Sequence, residues 1–534
     1  MSDHWGAPHQ PEPDQPEILS DQPTAPEASP AYSAAGTFLP AQPPDSTGGK
    51  RKWVAGGVAV LLVAGVGVGA AYAAGALGGG GGKQPEAEVP STSVAFVSFD
   101  LNPSLGQKVD ALRFLRKFPS AKSSLGSTDD IRQYIFDQAT KDDPKLSGLS
   151  YAQDVKPWIG NRFGVAVLPG TAAGDDPNPV VVLQVSDAAK AKAGLKKLMT
   201  PGDGTCAVAD GYAVCAETQA VLSRAQSATR HRSLADDPTF SSDLSSAGGR
   251  GIATAWGDLG KLSKLVPQGI DGGGLSGLSS FGAVGANSAS GRFVASLRFS
   301  GANLQLTGRV TGGKPSVAVA GGTGIEHLPP WTPVAVGAST SAATIAKSYQ
   351  QLTSQLTASG DAGAVQELQQ GLHQFGLKLP QDLSSLLGTR FAVAYGGAGA
   401  DGQPQIGLRS NASAAKAGPV LDKVSAALRS AGAPVELHHV ATTSGYAMAL
   451  DPLYARALAI GDGLGESSAF KAAAPDAGSA NLVVYVNAFA LTQKGSPFGF
   501  GSADRNLAAL SAIGLTAHEG SDGTTTFHLN VVTR

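Results

Sequence analysis

The sequence repeats itself once, and this feature constrains the fold more than any other. Four blocks recur in the same order: 154–167 with 382–395, 186–194 with 410–418, 211–225 with 445–459 and, more weakly, 250–259 with 480–489. The spacing between blocks drifts by several residues, as insertions in loops would require. Because solenoids repeat with a much shorter period, we expect two copies of one globular unit, over residues 91–313 and 331–534.

Each copy has the same coarse pattern of strands and helices. An opening strand at 93–101 or 333–340 precedes apolar-periodic helical segments at 109–118 or 364–375. Two strands, a helix and a hairpin follow, and late strands close the unit. Hairpins interspersed with helices predict an α+β fold, with a mainly antiparallel sheet covered on one face.

The stretch TCAVADGYAVCA at 205–216 contains both cysteines of the chain. Asp210-Gly211 between alternating small and apolar residues is the strongest short signal for a two-residue β-hairpin. This turn places Cys206 opposite Cys215, in a pair whose Cα atoms approach to about 4.5 Å. We therefore predict a disulfide, which persists in an oxidising compartment. Two facing buried thiols are the alternative.

A run without charged residues, from Trp53 to Leu77, predicts a membrane anchor. At about 1.5 Å per residue it can cross a hydrocarbon core of about 30 Å. Three basic residues precede it, Lys50, Arg51 and Lys52, and Trp53 suits an interface. With Lys83 alone close on the other side, the positive-inside rule places the N-terminus in the cytoplasm. A single-pass plasma-membrane protein with an extracytoplasmic C-terminal region is expected.

Cleavage after this run is the competing interpretation, since Ala71-Tyr72-Ala73 has the small-x-small form of a signal-peptidase site. Residues 1–49 contain no Lys or Arg and are rich in Pro, so they predict a disordered acidic cytoplasmic tail. Residues 50–77 form the basic flank and anchor. Linkers are predicted at 78–90 and 314–330, on either side of the first copy.

The charge of the chain excludes one class of partner. The formal net charge is −2 at pH 7. Nucleic-acid binding would need a basic face, so no nucleic-acid partner is expected.

The stretch VAFVSFDLNPSLGQKVDALRFLRKFP, at 94–119, follows the apolar run in a chain rich in Ala and Gly. With it, the chain resembles the actinobacterial domain-of-unknown-function family 3352, and FDLNPSLGQK is the most specific part. The resemblance covers the apolar run and the region after it. It implies a membrane-anchored envelope protein of uncharacterised function, and it supplies no catalytic residues.

Two polar features of the sequence are candidates for a structural or binding role. Asp154 and Arg162 recur as Asp382 and Arg390. We interpret them as structural ion pairs tying a turn to the first strand of the sheet, with a polar site duplicated in each copy as the alternative. Asp100 ends the opening strand before Asn102-Pro103, where it is typical of a turn or helix cap. Asp100, Arg162 and Arg390 are weak candidates for binding.

The sequence contains no pattern that supports a metal site, a cofactor site or a serine hydrolase. His438 and His439 are adjacent in a predicted strand, so their side chains point to opposite faces. Neither a metal site nor a cofactor is expected. Adjacent carboxylates such as Asp236-Asp237 have the setting of turns and helix caps. No G-x-S-x-G or S-x-x-K motif of a serine hydrolase is found in a suitable context.

Three functions remain for such a chain. The first is a membrane-tethered binding or scaffold module of the cell envelope, with its site on a surface or cleft between the two copies. The second is a carrier of a lipid or other apolar envelope ligand, and the third is an envelope hydrolase with an unrecognised site. The absence of a recognised catalytic motif in the sequence favours a protein that is not an enzyme. The lipid bilayer through residues 53–77 and an envelope protein or lipid are the expected partners, and the sequence leaves the oligomeric state open.

Overall fold

The computed structural model describes residues 82–119, 132–133, 136–137, 148–171, 176–199, 204–265, 291–313, 321–357, 362–399, 402–430, 432, 436–461, 463–492 and 506–534. The predicted tail and anchor, with Lys50, Arg51, Lys52 and Trp53, lie outside these residues. Within them, none of the helices combines the length and the apolar character that a membrane span needs.

Sixteen strands are described, and they alternate with helices in both halves of the chain. The first half has β1 (Ala95–Asp100), β2 (Ile159–Leu168), β3 (Asn178–Val185), β4 (Thr205–Ala209), β5 (Tyr212–Ala216), β6 (Ala253–Asp258), β7 (Arg292–Ser300) and β8 (Asn303–Thr311). The second half has β9 (Val334–Ser339), β10 (Arg390–Ala398), β11 (Pro404–Ser410), β12 (His438–Thr442), β13 (Gly445–Ala449), β14 (Leu482–Val486), β15 (Leu510–Glu519) and β16 (Thr525–Thr533).

The helices follow the same chain order. Those of the first half are α1 (Leu105–Leu115), α2 (Ala188–Leu198), α3 (Gln219–His231), α4 (Pro238–Ser246) and α5 (Leu259–Leu265). Those of the second half are α6 (Ala342–Leu356), α7 (Ala362–Gln374), α8 (Gln381–Leu387), α9 (Ala414–Ser430), α10 (Pro452–Ile460), α11 (Ser468–Ala473) and α12 (Ala488–Leu491). The α+β class and the helices expected at 109–118 and 364–375 are thus confirmed.

All sixteen strands belong to one sheet, with every neighbouring pair antiparallel. In the first half the order is β4-β5-β3-β2-β1-β6-β7-β8. The second half has the corresponding order, β12-β13-β11-β10-β9-β14-β15-β16. The last strands of the two halves, β8 and β16, pair with each other, and we call this pair the seam. The two halves therefore share one continuous sheet.

The two faces of the sheet follow from strand alternation. One face, which we call the Phe99 face, contains a cross-strand row with one residue from every strand. In sheet order the row is Val208, Ala213, Leu183, Phe163, Phe99, Ala253, Leu297, Leu306, Leu529, Leu515, Val484, Val336, Val393, Leu408, Met448 and His439. All residues of this row except His439 are apolar. Because side chains alternate between the two faces of a sheet, the row forms one hydrophobic band across the Phe99 face.

Helices cover parts of both faces, whereas the sequence predicted cover on one. On the opposite face, which we call the Phe96 face, Phe96 and Trp256 pack with Leu222 of α3 and Phe240 of α4. On the Phe99 face, Phe299 packs against α1. Both faces of the first half bear large apolar side chains, so one helical layer could not bury them all.

The predicted hairpin is present with its predicted register. Cys206 and Cys215 are Cα partners, joined by a disulfide with a Cα–Cα distance of 4.0 Å. Asp210 and Gly211 both have positive φ, 51° and 80°, as the two-residue turn requires. The disulfide ties β4, at one edge of the sheet, to its neighbour.

The described ends of both predicted linkers contain regular turns and buried residues. The segment 78–90 includes a 3-10 turn, Pro85–Glu88, followed by the fully buried Val89. The segment 314–330 includes the 3-10 turn Ile325–His327, followed by the fully buried Leu328. Val89 and Leu328 pack into hydrophobic cores of the first and second half, respectively.

Candidate functional site

The seam presents a polar strip on the Phe96 face. The sequence of β8, NLQLTGRVT, alternates strictly, so Leu304, Leu306 and Val310 lie on the Phe99 face. Its polar residues therefore point the other way, onto the Phe96 face. Residues from β15 and β16 continue the strip, whose members are Gln305, Thr307, Arg309, Thr526, His528 and His518. All six are half-buried. We call this strip the seam groove.

Two helices stand beside the seam groove. The first, α4, contacts β7 and β8, and its start is fixed because Pro238 follows Asp237, whose carboxylate accepts from the Thr239 amide at 2.7 Å. The second, α11, contacts β15 and β16. Each half of the chain therefore supplies one wall and part of the floor.

Side chains of the sheet donate hydrogen bonds to both walls. The Arg298 guanidinium on β7 donates to the carbonyls of Ala247, Gly248 and Gly249 at 2.8–3.0 Å, just after α4. Its burial lowers the pKa of Arg298. On the other side, Asn530 Nδ2 donates to the Ala473 carbonyl of α11 at 3.0 Å. These bonds satisfy carbonyls at the helix ends and set the width of the groove.

The histidines of the groove are close to each other. The rings of His518 and His528 have centroids 6.5 Å apart. His528 Nδ1 lies 3.1 Å from a carboxylate oxygen of Asp476, in the turn after α11. Asp476 therefore fixes the orientation of the His528 ring.

Arg309 has an unusual environment for a guanidinium. Its Nε is buried without a hydrogen-bond partner, and no described carboxylate forms a salt bridge with it. Nearby Asp522 is engaged by Thr524, whose backbone N–H and hydroxyl donate to the carboxylate. The Thr524 bonds lower the pKa of Asp522, and the charge of Arg309 adds to this effect. A buried donor of this kind calls for an explanation.

The remaining floor residues are also available for contacts. Within the described part of the chain, the side chains of Gln305, Thr307 and Thr526 make no hydrogen bond. The seam groove thus combines amide, hydroxyl, imidazole and guanidinium groups on one surface. Such a surface can bind a polar ligand, with contributions from both halves.

A buried charged cluster lies beside the first wall. Asp243 of α4, 6% exposed, accepts from Arg292 Nε at 2.7 Å and Nη2 at 3.1 Å, and from Trp256 Nε1 at 3.0 Å. The hydrogen bond to Asp243 raises the pKa of Arg292. All these groups are satisfied, so we assign the cluster a structural role. Sequence analysis missed it, because its members come from three separate segments.

The candidate pair Asp154 and Arg162 does not form the predicted ion pair. Asp154 instead binds Lys197 at 2.8 Å, whereas Arg162 binds Asp100 at 2.9 Å. Asp100 and Arg162 are Cα partners on β1 and β2, so the cross-strand carboxylate is closer to Arg162 than the preceding turn is. Asp100 also accepts from the Asn102 amide at 2.8 Å, which is the predicted turn role.

In the second half of the chain, the equivalent aspartate makes the same contact and the equivalent arginine does not. Asp382 accepts from the Lys378 amide at 2.8 Å, just as Asp154 accepts from the Ser150 amide at 2.9 Å. The repeated aspartate thus closes the same local turn. Arg390, in contrast, is exposed and has Ser339 as its cross-strand neighbour, so no described carboxylate pairs with it. None of these residues belongs to the seam groove.

A second surface is apolar and lies on the Phe99 face. Val336, Val393 and Ile406, on β9, β10 and β11, are 39%, 41% and 47% exposed. Val165 occupies the position of Val393 in the first half and is 6% exposed. The band that is covered in the first half is therefore accessible in the second. We call these three residues the apolar patch.

A shallow groove of about 330 Å³ lies elsewhere in the first half, lined by Thr171, Asp176, Asn178, Ala220, Val221 and Arg224. Arg224 Nη2 donates to the Pro169 carbonyl at 3.1 Å. Its cation is thus engaged by the protein, and the groove offers less free polar chemistry than the seam.

The part of the chain that the structure describes contains no recognisable metal site and no recognisable hydrolase site. No group of three or more His, Cys, Asp or Glu residues there is arranged to hold a metal ion. His438 and His439 lie on β12, where alternation places them on opposite faces. His528, although paired with Asp476, makes no hydrogen bond to a described serine.

Comparisons with known proteins show a similarity to one family and indicate no activity. A search of the curated proteins gives no match. One solved structure, described as "Structure of crystal form III of TP0453", is 10% identical, with a TM-score of 0.22, over 44% of this chain and 83% of its own. Residues 54–213 match the family described as "Protein of unknown function (DUF3352)", so this part of the chain is similar to the domain-of-unknown-function family that the sequence resembled.

Proposed function

We propose that this protein is a membrane-anchored binding module of the cell envelope, with the seam groove as its binding site. The observation that carries the proposal is the groove floor. Six polar side chains from both halves, from Gln305 to His528, lie on one surface, and five of them, all except His528, make no described side-chain hydrogen bond. Antiparallel sheets often have a solvated face. Here two helices, α4 and α11, are hydrogen-bonded to the sheet and flank that face.

Anchoring rests on the apolar run Trp53–Leu77 and its basic flank. The disulfide supports an extracytoplasmic location, since such bonds persist in oxidising compartments. The Lys83 carbonyl accepts from Tyr212 Oη at 2.7 Å, so the chain is attached to the sheet soon after the run. Six residues span at most about 21 Å, which would keep the first half close to the bilayer.

We also propose that the two halves arose by duplication of one unit. Their strand orders correspond throughout. The turn before the first strand is alike as well: Ser93 Oγ donates to the Pro90 carbonyl, and Thr332 Oγ1 donates to the Pro329 carbonyl, both at 2.7 Å. Duplication accounts for a groove whose two sides come from equivalent elements.

A carrier of a lipid or other apolar envelope ligand is the second candidate. The apolar patch supports it, because Val336, Val393 and Ile406 are exposed side by side on a sheet face. An acyl chain would bury these side chains, at about 25 cal/mol per Å² of apolar area. We do not propose an enzymatic activity.

A photocrosslinking experiment separates these candidates. A benzophenone amino acid replaces Gln305 in the groove, Val393 in the patch or the exposed Ser223 on α3, in full-length protein expressed in its native envelope. Adducts at position 305 that are missing at 223 would support the binding module. Adducts at 393 alone would favour the carrier, and equal labelling at all three positions would refute the seam groove as a site.

The anchor is tested separately. Full-length protein should sediment with membranes and resist extraction by carbonate, whereas deletion of residues 53–77 should abolish this association. If the deleted protein remained equally membrane-bound, the proposed anchor would be wrong.

A further inference from the structure

The seam groove contains a guanidinium, that of Arg309, whose charge acts on Asp522 without a salt bridge to it among the described residues. Arg309 forms no described salt bridge, and its Nε is buried without a partner. Asp522, the carboxylate whose pKa it influences, is held by Thr524 through two hydrogen bonds of 2.9 and 3.0 Å. On the same face of β7, Arg292 is held by Asp243 and Arg298 donates to the carbonyls that follow α4. Among the described arginines on this face of β7 and β8, Arg309 therefore keeps its guanidinium available to a ligand.

Further donors surround Arg309 on the same face. Thr526 is its direct cross-strand partner, and His518 is the partner of Thr526 on the next strand. His528 is the diagonal neighbour of Arg309, and diagonal residues are about 7–8 Å apart at Cα. Long side chains at these positions converge on a common space above Thr526.

A second carboxylate, that of Asp476, orients His528. Asp476 engages His528 through Nδ1 at 3.1 Å, and Nε2 has no described partner. A histidine whose Nδ1 donates to a carboxylate has its tautomer and ring orientation fixed. When the ring is protonated, Nε2 adds a second N–H donor to the groove.

We propose that the seam groove binds a phosphate group, held by Arg309 with Thr526, His518 and His528. The planar guanidinium matches the geometry of phosphate oxygens and can donate two parallel hydrogen bonds. Hydroxyl and imidazole groups supply the additional donors. The phosphate can belong to a soluble phosphate ester or to a phospholipid headgroup. This inference rests on the proposed function and specifies its ligand chemistry.

Isothermal titration calorimetry of the full-length protein in dodecyl maltoside, which lacks phosphate, tests the proposal. The probes are glycerol 3-phosphate and, below its micellar concentration, dihexanoyl phosphatidylglycerol, with glycerol as the phosphate-free control. Binding of both would indicate recognition of the phosphate itself. Binding of the lipid alone would assign the site to a headgroup.

Two arginine variants make the test specific. Arg309→Gln should weaken phosphate binding at least about tenfold, as loss of a charged hydrogen bond does. Arg390→Gln is the matched control, because Arg390 also lies on a strand without a described ion pair but has no histidines beside it; its affinity should stay unchanged. His518→Gln should weaken binding by about threefold. Thermal melting of each variant reports whether it folds.

Three outcomes overturn the proposal. These are no binding of either phosphate probe at millimolar concentration, equal affinity of the wild type and Arg309→Gln, or equal losses in Arg309→Gln and Arg390→Gln. The binding module itself is judged by Thr307→Trp, which fills the groove. If Thr307→Trp abolishes retention of a native ligand that contains no phosphate, the proposed function stands and the phosphate inference fails.

Discussion

Arg162 and Asp100 are cross-strand partners whose side chains form a salt bridge of 2.9 Å, and Arg162 is 2% exposed. The equivalent arginine of the second half, Arg390, faces Ser339 and remains exposed. One difference in the neighbouring strand therefore decides whether the repeated arginine is part of the core or of the surface.

Arg162→Gln should lower the free energy of unfolding by about 3 kcal/mol, because it leaves Asp100 partly buried without its cation. Arg390→Gln is the control and should change stability by less than about 0.5 kcal/mol. Urea unfolding followed by circular dichroism measures both. Similar effects of the two substitutions would contradict the assigned difference in burial.

Protonation of Asp154 should lower the stability of the protein in acid. The hydrogen bond from Lys197, followed by that from the Ser150 amide, lowers the pKa of Asp154 below its ordinary value of 3.8. Its stabilising effect is therefore complete above pH 3.8 and is lost as the pH falls through the lower folded-state value. Asp154→Asn should have a flatter stability profile below pH 4, as measured by urea unfolding. A profile identical to that of the wild type would contradict this assignment.

Removal of the disulfide should loosen one edge of the sheet. The double variant Cys206→Ala, Cys215→Ala should lose about 2–3 kcal/mol of unfolding free energy, as expected for a short closed loop. Amide exchange should accelerate most in β4, residues Thr205–Ala209. Dithiothreitol should reproduce the loss in the wild type and leave the double variant unchanged; an effect on the double variant would point to another cause.

The apolar patch should tolerate charge better than its counterpart in the first half. Val393→Lys should alter stability by less than about 0.5 kcal/mol, since the side chain is 41% exposed. Val165→Lys should unfold the first half, because Val165 is 6% exposed. If the patch binds apolar ligands, Val393→Lys should also reduce the fluorescence of bound N-phenylnaphthylamine. Unchanged probe binding would remove the support for the carrier.

Local sequence signals predicted the parts of the fold that depend on neighbouring residues. Asp210-Gly211 predicted the hairpin and the Cys206–Cys215 disulfide. The predicted pairing of Asp154 with Arg162 was wrong because it assumed that residues close in sequence meet. Strand pairing instead brings Asp100 to Arg162 across a separation of 62 residues.

The candidate site also depends on contacts between segments that are distant in the sequence. The alternation in β8 is visible in its sequence, but nothing local to it indicates that β16 will be its neighbour. Arg309 and His528 are far apart in the chain and have no shared motif, so sequence analysis singled out neither. A site assembled from the last strands of two halves can be recognised once those strands are paired.

By itself, the sequence determined the class of the fold, the repeated blocks and the disulfide hairpin, because periodicity and turn chemistry act over a few residues. The tertiary structure decided that the two halves share one sheet, that both faces carry helices, and that the polar residues of β8, β15 and β16 form one groove. Those outcomes depend on contacts between distant segments, whose free energies come from burial and register across the whole sheet.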